Sequence, residues 1–136
     1  MNFKHWLLSE TINSDTKEIT RKIKALKIKG WGGLCGQAAI QINHNVFNGK
    51  GKYLVAVNEF LWDFENKLVG HVVVKYNNKL WDVDGLTTMD KLESWGMVDE
   101  QEYSDIFGWT TEDAYKVKIM EMTEDQIKKW FNICGI

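Results

Sequence analysis

The chain has 136 residues, 44% of them hydrophobic, with seven tryptophans and no proline. This length and composition suffice to bury one core, and because no repeat, low-complexity stretch or linker interrupts the sequence, we expect a single domain over 1–136. Seventeen basic residues against nineteen acidic ones give a formal net charge of -2, which is too balanced to indicate nucleic-acid binding, and we expect no nucleic-acid partner.

The chain contains two cysteines, Cys35 and Cys134, and their number indicates whether the protein works in an oxidising or a reducing compartment. A chain with so many aromatic residues for its core does not need a disulfide, which favours a reducing cytoplasm. No apolar run has the length of a signal peptide at the N-terminus, and nowhere do about 18 apolar residues follow one another, so we expect neither export nor a membrane partner. The sequence leaves the oligomeric state open.

The first predicted element is an amphipathic helix over about 16–29. Asp15 followed by Glu18 resembles an N-cap with its reciprocal acid, and apolar residues then recur at helical spacing. The solvent side carries basic residues on one arc, which indicate a solvated face or, alternatively, a docking patch for an acidic partner. These basic residues are Lys17, Arg21, Lys24 and Lys27.

The second predicted element is a buried helix that begins near Cys35 and ends before Asn48. A glycine-rich turn precedes it, and small and apolar residues follow at helical spacing. The N-terminus of a helix favours the thiolate form of a cysteine. Gly32, Gly33 and Gly36 remove side chains around the sulfur, so a carbonyl substrate could approach free backbone N–H groups.

From residue 52 onwards the hydrophobic period changes to two, which predicts strands. The β-branched and aromatic segments are 52–58, 70–76, 79–84 and 115–121, with a short helix over 88–95 between the last two. Asn77 and Asn78 predict a two-residue hairpin turn, because asparagine tolerates positive φ.

The chain closes with a further predicted helix. Thr123 to Gln126 has the pattern of a capping box, and apolar residues follow at positions i, i+3, i+4 and i+7. These residues are Ile127, Trp130, Phe131 and Cys134. Cys134 is therefore expected to fill the core rather than to carry chemistry.

Three histidines could supply a base to Cys35. His44 follows nine residues later, and at about 100° per residue it points to the opposite side of the helix. His5 lies in a weakly patterned stretch. His71 stands at the entry to the second strand, where a sheet packed on the Cys35 helix could deliver it, so we expect it to be the base.

An imidazole base works best when a third group fixes its tautomer and supports its charged form. With a two-residue turn, the antiparallel register sets His71 opposite Asp84 and Val73 opposite Asp82. Because side chains alternate along a strand, both aspartates share the face that His71 uses. Either carboxylate could therefore orient the ring.

Segments 33–39, 70–74 and 80–85 together resemble the papain-like superfamily in its broad sense, over about 35–85. Within this superfamily, the sequence is most similar to the transglutaminase-core proteins and to the peptidases that remove double-glycine leaders from bacteriocins. The resemblance implies a papain-like α+β fold, with N-terminal helices that include the cysteine helix packed on an antiparallel sheet, and a C-terminal helix.

Residue by residue, the resemblance implies that Cys35 is the nucleophile, His71 the general base and acid, and Asp82 the orienting carboxylate, with Asp84 as second choice. It implies acyl-enzyme chemistry on an amide of a protein or peptide: cleavage, deamidation or transfer to an amine. No cofactor and no metal are expected. Leader peptidases and papains place a glutamine before the cysteine, whereas residues 1–34 contain none, so backbone donors or Trp31 are expected to serve the oxyanion.

Two other readings compete with the enzyme. The first is a papain-like adaptor or inhibitor that binds a partner protein without catalysis, through aromatic residues interleaved with acidic ones. The aromatic residues are Trp95, Tyr103, Phe107 and Trp109, and the acidic ones are Asp99, Glu100, Glu102 and Asp105. The second is a metal site of Cys35, His71 and an aspartate, which no paired Cys-x-x-Cys or His-x-x-x-His spacing supports.

Overall fold

Five antiparallel strands form one sheet in the computed structural model, which describes residues 15–28, 34–59, 69–97 and 115–131. The strands are β1 (Lys52–Asn58), β2 (Val69–Tyr76), β3 (Lys79–Asp82), β4 (Gly85–Thr87) and β5 (Val117–Met122), in the spatial order β4-β3-β2-β1-β5. The described residues also contain four helices, namely α1 over 15–25, α2 (Cys35–Val46), α3 (Met89–Ser94) and α4 (Glu124–Phe131). The predicted α+β class with an antiparallel sheet is confirmed.

The main core lies between the sheet and the helices α1, α2 and α4. Alternate residues of β1 and β2 point to this side, where they meet apolar residues of the three helices. The most deeply buried members are Ile23, Ile42, Val55, Val57, Val72, Val74, Trp81 and Ile127. The helix that carries Cys35 is thus packed directly on the strand that carries His71.

A smaller core covers the opposite side of the sheet. Ala56, Val73 and Leu80 point to this side and pack against Leu92 of the short helix α3. Thr88 begins this helix, because its side chain accepts a hydrogen bond from the backbone N–H of Lys91. The helix therefore covers the sheet with few residues and ends close to the first residues of β2.

The hairpin between β2 and β3 sets the register of the site. Asn77 and Asn78 have φ angles of 52° and 59°, and a type I′ turn requires positive φ at both of its central residues. The flanking strands pair Val74 with Trp81 and Lys75 with Leu80. The predicted two-residue turn is confirmed, and the same register continues towards His71 and Asp82.

The third predicted strand was too long. β3 ends at Asp82, the chain turns at 83–84, and β4 begins at Gly85, a strand that the sequence did not predict. Gly85 has a φ of +101°, and a Cβ there would lie 2.8 Å from the Thr20 side chain. Glycine is required here for both reasons, so the turn brings the chain back along β3.

Both ends of α1 differ from the predicted ones, whereas the start of α4 agrees with the prediction. Asp15 is already helical, and Glu18 forms an ion pair with Arg21 instead of a reciprocal cap. The helix stops at residue 25, and Lys27 has a positive φ of 50°, which explains why the predicted end at 29 was wrong. At α4 the capping box is confirmed, since the Thr123 hydroxyl accepts from the Gln126 backbone N–H and the Gln126 side chain accepts from the Thr123 backbone N–H. None of the helices in the described ranges is long and apolar enough to span a bilayer.

Candidate active site

Cys35 is the first residue of α2. The preceding residue, Leu34, makes no side-chain cap hydrogen bond, and the first turn of the helix contains no acidic residue. Within the described ranges no side chain accepts from the N–H groups at this end, and the positive end of the helix dipole lies at the cysteine. Cys35 is a half-buried free thiol.

His71 lies near the start of β2, directly after Gly70, and is almost fully buried. Ala56 of β1 is its partner in the sheet. The ladder between β1 and β2 shifts register just beyond this pair. The histidine thus sits where the regular pairing of the two strands is interrupted, a position in which bulges commonly re-aim a side chain.

Asp82, the last residue of β3, holds one side of the His71 ring. Its Oδ2 lies 3.2 Å from Nε2 of the imidazole, and its Oδ1 accepts a hydrogen bond of 2.9 Å from the backbone N–H of Asp84. The second bond fixes the carboxylate at the turn after β3. Of the two aspartates that the sequence left open, Asp82 contacts the ring, whereas Asp84 is exposed and supplies only its backbone.

Cys35 lies in the same cleft as the imidazole. Its side chain is close enough to raise the pKa of His71, together with Asp82 at Nε2. The three residues line one narrow cleft with Ala38, Ala39, Ile42, Val72 and Val83. The cleft leaves no room for a water molecule. His71 and Asp82 are almost fully buried, whereas Cys35 is half-buried, so Cys35 is the member of the three that a substrate could reach.

Opposing effects determine the charge of the imidazole. Burial lowers the pKa of His71, but the hydrogen bond with Asp82, the hydrogen bond with Cys35 and the negative charges of both partners outweigh it. The pKa rises from its ordinary value of 6.5 to about 9. The ring is therefore protonated at neutral pH and presents a positive charge to the sulfur.

His44 belongs to another place in the molecule, as its helical spacing predicted. It lies on the exposed side of α2 and forms an ion pair with Glu124 at the start of α4. His5, Trp31, Gly32, Gly33, Cys134 and most of the aromatic-acidic segment, including Tyr103, Phe107 and Trp109, lie outside the described residues. Among the described residues no group of three or more histidines, cysteines and carboxylates is arranged to hold a metal ion.

Sequence reasoning missed the contact between Trp95 and His71. The indole and imidazole centroids lie 5.3 Å apart with an interplanar angle of 35°. Trp95 comes 24 residues after His71 in the sequence, at the end of α3. The sequence pattern indicated only that it is one of the aromatic residues of a possible docking segment. The available signal was a tryptophan at the end of the predicted helix 88–95, directly before Gly96. This signal does not indicate which strand the indole ring contacts.

No family model, no curated protein and no solved structure matches this chain.

Proposed function

We propose that this chain is a thiol-dependent amide hydrolase or acyltransferase that acts on a protein or peptide, with a papain-like arrangement of helix and sheet. The observation that carries the proposal is the meeting of three side chains from three elements. Cys35 at the N-terminus of α2 lines the same cleft as His71 of β2, and Asp82 of β3 hydrogen-bonds with Nε2 of the imidazole. Nucleophile, base and orienting carboxylate have this order of contacts in thiol and serine hydrolases.

Each residue has a defined part in the proposed reaction. The Cys35 thiolate attacks the amide carbon, and the oxygen takes up the electron pair as an oxyanion. The protonated His71 then donates its proton to the leaving nitrogen, the C–N bond breaks, and an acyl thioester remains on the sulfur. Neutral His71 next removes a proton from water or from an acceptor amine, which attacks the thioester carbon. The C–S bond then breaks, the acid or the new amide leaves, and the Cys35 thiolate is restored beside the protonated His71.

The start of α2 supports stabilisation of the oxyanion. In the part of the chain that the structure describes, no side chain caps the first backbone N–H groups of the helix, and Gly36 adds no side chain beside the sulfur. A negative charge that develops on a carbonyl held at Cys35 would therefore meet preorganised donors and the helix dipole. This arrangement substitutes for the glutamine that residues 1–34 do not contain.

The proposal is tested by trapping the acyl-enzyme with p-nitrophenyl acetate. We expect release of nitrophenol together with an acetyl thioester on tryptic peptide 30–50, which contains Cys35, and not on peptide 130–136, which contains Cys134. Hydroxylamine should remove the acetyl group. Cys35→Ser should abolish the thioester, and Asp84→Asn should leave it intact because Asp84 does not contact the ring.

Equal and slow acetylation of both peptides would contradict the proposal. A binding partner that is retained equally by the wild-type chain and by Cys35→Ser would favour the adaptor instead. Adding an amine such as glycine ethyl ester to the acetylated protein then separates transfer from hydrolysis, since only a transferase forms the acetyl amide faster than free acetate.

A further inference from the structure

We propose that Trp95 is a positioning residue for His71: its indole covers one face of the imidazole and holds the ring between Asp82 and Cys35. This inference rests on the proposed function for its consequence at the sulfur. Its physical basis, the contact between the two rings, does not depend on that function.

The ring contact has the geometry of an attractive interaction. The centroid separation of 5.3 Å lies within the range preferred by aromatic pairs, and the tilt of 35° avoids a face-to-face stack. The same separation lies within the distance at which a tryptophan face attracts a cation. Because the partners of His71 favour its protonated form, the indole faces a positive charge rather than a neutral ring.

The backbone fixes Trp95 at this place. A Cβ on Gly70 would lie only 2.0 Å from the Trp95 carbonyl oxygen, so the main chain at Trp95 rests directly on the residue before His71. A Cβ on Gly96 would lie 2.6 Å from the side chain of Val117 and 2.9 Å from the carbonyl oxygen of Val57. Glycines on both sides of the contact thus allow the turn after α3 to press against β1, β2 and β5.

Filling the core does not account for this placement. Leu92 supplies the buried contact between α3 and the sheet, whereas Trp95 remains 40% exposed. A large aromatic side chain left this exposed gains less from burial than a core residue does. Its indole instead lies against the imidazole, with a centroid separation of 5.3 Å.

The surroundings of His71 show what Trp95 adds. Asp82 approaches from β3 and Cys35 from α2, and these are the titratable groups that face the ring in the described part of the chain. Ala56 faces it from β1 and carries no charge. The hydrogen bond with Asp82 lies at the edge of the ring, so a contact on the face adds a restraint on tilt that helps to keep Nε2 aligned with the carboxylate.

The test compares Trp95→Ala and Trp95→Phe with Met89→Ala. Met89 begins the same helix and is 42% exposed, so it controls for any loosening of α3. The first measurement is the NMR titration of the His71 ring, which does not require catalysis. We expect the midpoint to fall by about half a unit to one unit in Trp95→Ala, and Phe at this position to restore most of it.

The second measurement is the rate of Cys35 alkylation by iodoacetamide at pH 6.5, under conditions in which thermal melts show each variant to be folded. We expect a fall of about tenfold in Trp95→Ala, a fall of less than about threefold in Trp95→Phe, and no change in Met89→Ala. If Trp95→Ala does not fold, Trp95→Leu replaces it and carries the same expectation. An unchanged His71 midpoint in the folded Ala or Leu variant overturns the proposal.

The two measurements separate this inference from the proposed function. If wild-type Cys35 reacts no faster than Cys134 while Trp95→Ala still shifts the His71 midpoint, the proposed hydrolase is wrong and the positioning role stands. If wild-type Cys35 is highly reactive and Trp95→Ala changes neither the midpoint nor the rate, the positioning role is wrong and the hydrolase stands.

Discussion

Two histidine–carboxylate pairs occur in this chain, with the same chemical groups in opposite surroundings. His71 and Asp82 lie on adjacent strands, 3.2 Å apart, and their side chains are 4% and 6% exposed. His44 and Glu124 join the exposed side of α2 to the start of α4, and their side chains are 55% and 29% exposed. The first pair joins the two strands of one hairpin, whereas the second joins residues 80 positions apart. Among the described residues only the first pair borders a thiol.

Burial makes the first pair a candidate for chemistry. Charges that are screened from water interact strongly, and the partners of His71 outweigh the cost of burying its charge. The second pair belongs to a structural network. The Tyr53 hydroxyl donates to Glu124 over 3.2 Å and accepts from the Asn43 amide over 3.0 Å. We therefore expect changes around His71 to alter reactivity, and changes around Glu124 to alter stability.

The largest expected effect separates the two histidines. His71→Gln should slow the alkylation of Cys35 by iodoacetamide near pH 6.5 on the order of 100-fold, because the protonated ring that favours a thiolate is lost. His44→Gln should leave the rate within about twofold, since its ring faces away from the sulfur and an exposed pair contributes little. Mass spectrometry of tryptic peptides 30–50 and 130–136 reports the two cysteines separately.

Cys134 serves as the internal reference in this experiment, because its peptide does not include any residue of the site. A His71→Gln variant whose Cys35 is still alkylated at the wild-type rate would remove the distinction between the two pairs. Equal losses in both histidine variants would do the same, since they would point to a general loosening of α2.

The second prediction concerns the structural network. Asn43 is buried, accepts from the Gly51 backbone N–H over 2.7 Å and donates to the Tyr53 hydroxyl over 3.0 Å. Asn43→Ala should lower the free energy of unfolding by about 2 kcal/mol, because it leaves buried polar groups without partners. Asn45→Ala is the matched control, since Asn45 lies on the same helix and is exposed. Urea denaturation measures both variants.

The same two variants also test whether the structural network around Asn43 and the site around His71 are independent of each other. Below the unfolding transition, both should alkylate Cys35 at the wild-type rate, because neither asparagine belongs to the cleft around His71. Slower alkylation in folded Asn43→Ala would show that the network and the site are one unit. Equal unfolding free energies of the two variants would show that the Asn43 hydrogen bonds contribute nothing net.

Local patterns predicted much of the fold and the members of the site. The Asn77–Asn78 turn determines the register of β2 and β3. From that register alone, His71 and Asp82 are predicted to share one face of the sheet. Helical spacing placed Cys35 at a helix start and turned His44 away from it. Each of these predictions depends on a period or a turn, which a short stretch of sequence specifies by itself.

What remained open depends on contacts between distant segments. The choice between Asp82 and Asp84 follows from where β3 ends, since the turn at 83–84 exposes Asp84 and uses its N–H to hold Asp82. Gly85, where β4 begins, lies close to Thr20, and a residue 65 positions earlier leaves no trace in the local pattern. The contact between Trp95 and His71 has the same origin.

The smallest of the three effects concerns the carboxylate. Asp82→Asn should lower the pKa of His71 by about one unit or more, because the hydrogen bond to Asp82 is the strongest of the effects that raise it and the charge of the carboxylate adds to it. Asp84→Asn should leave it near the wild-type value of about 9, because that side chain does not contact the ring. NMR titration of the imidazole signals measures both, with His71→Gln identifying the signal among the three histidines.

The direction of the accompanying change in stability follows from proton binding. In the wild-type chain His71 binds its proton at a pH of up to about 9, against 6.5 in the unfolded chain, so it stabilises the folded state fully below pH 6.5. That contribution is lost as the pH rises through about 9. The stability gap between wild type and Asp82→Asn should therefore shrink over this range. A gap that stays constant from pH 6.5 to pH 10 would mean that Asp82 stabilises the fold without supporting the charge of His71, and the buried pair would then be no different in kind from the exposed one.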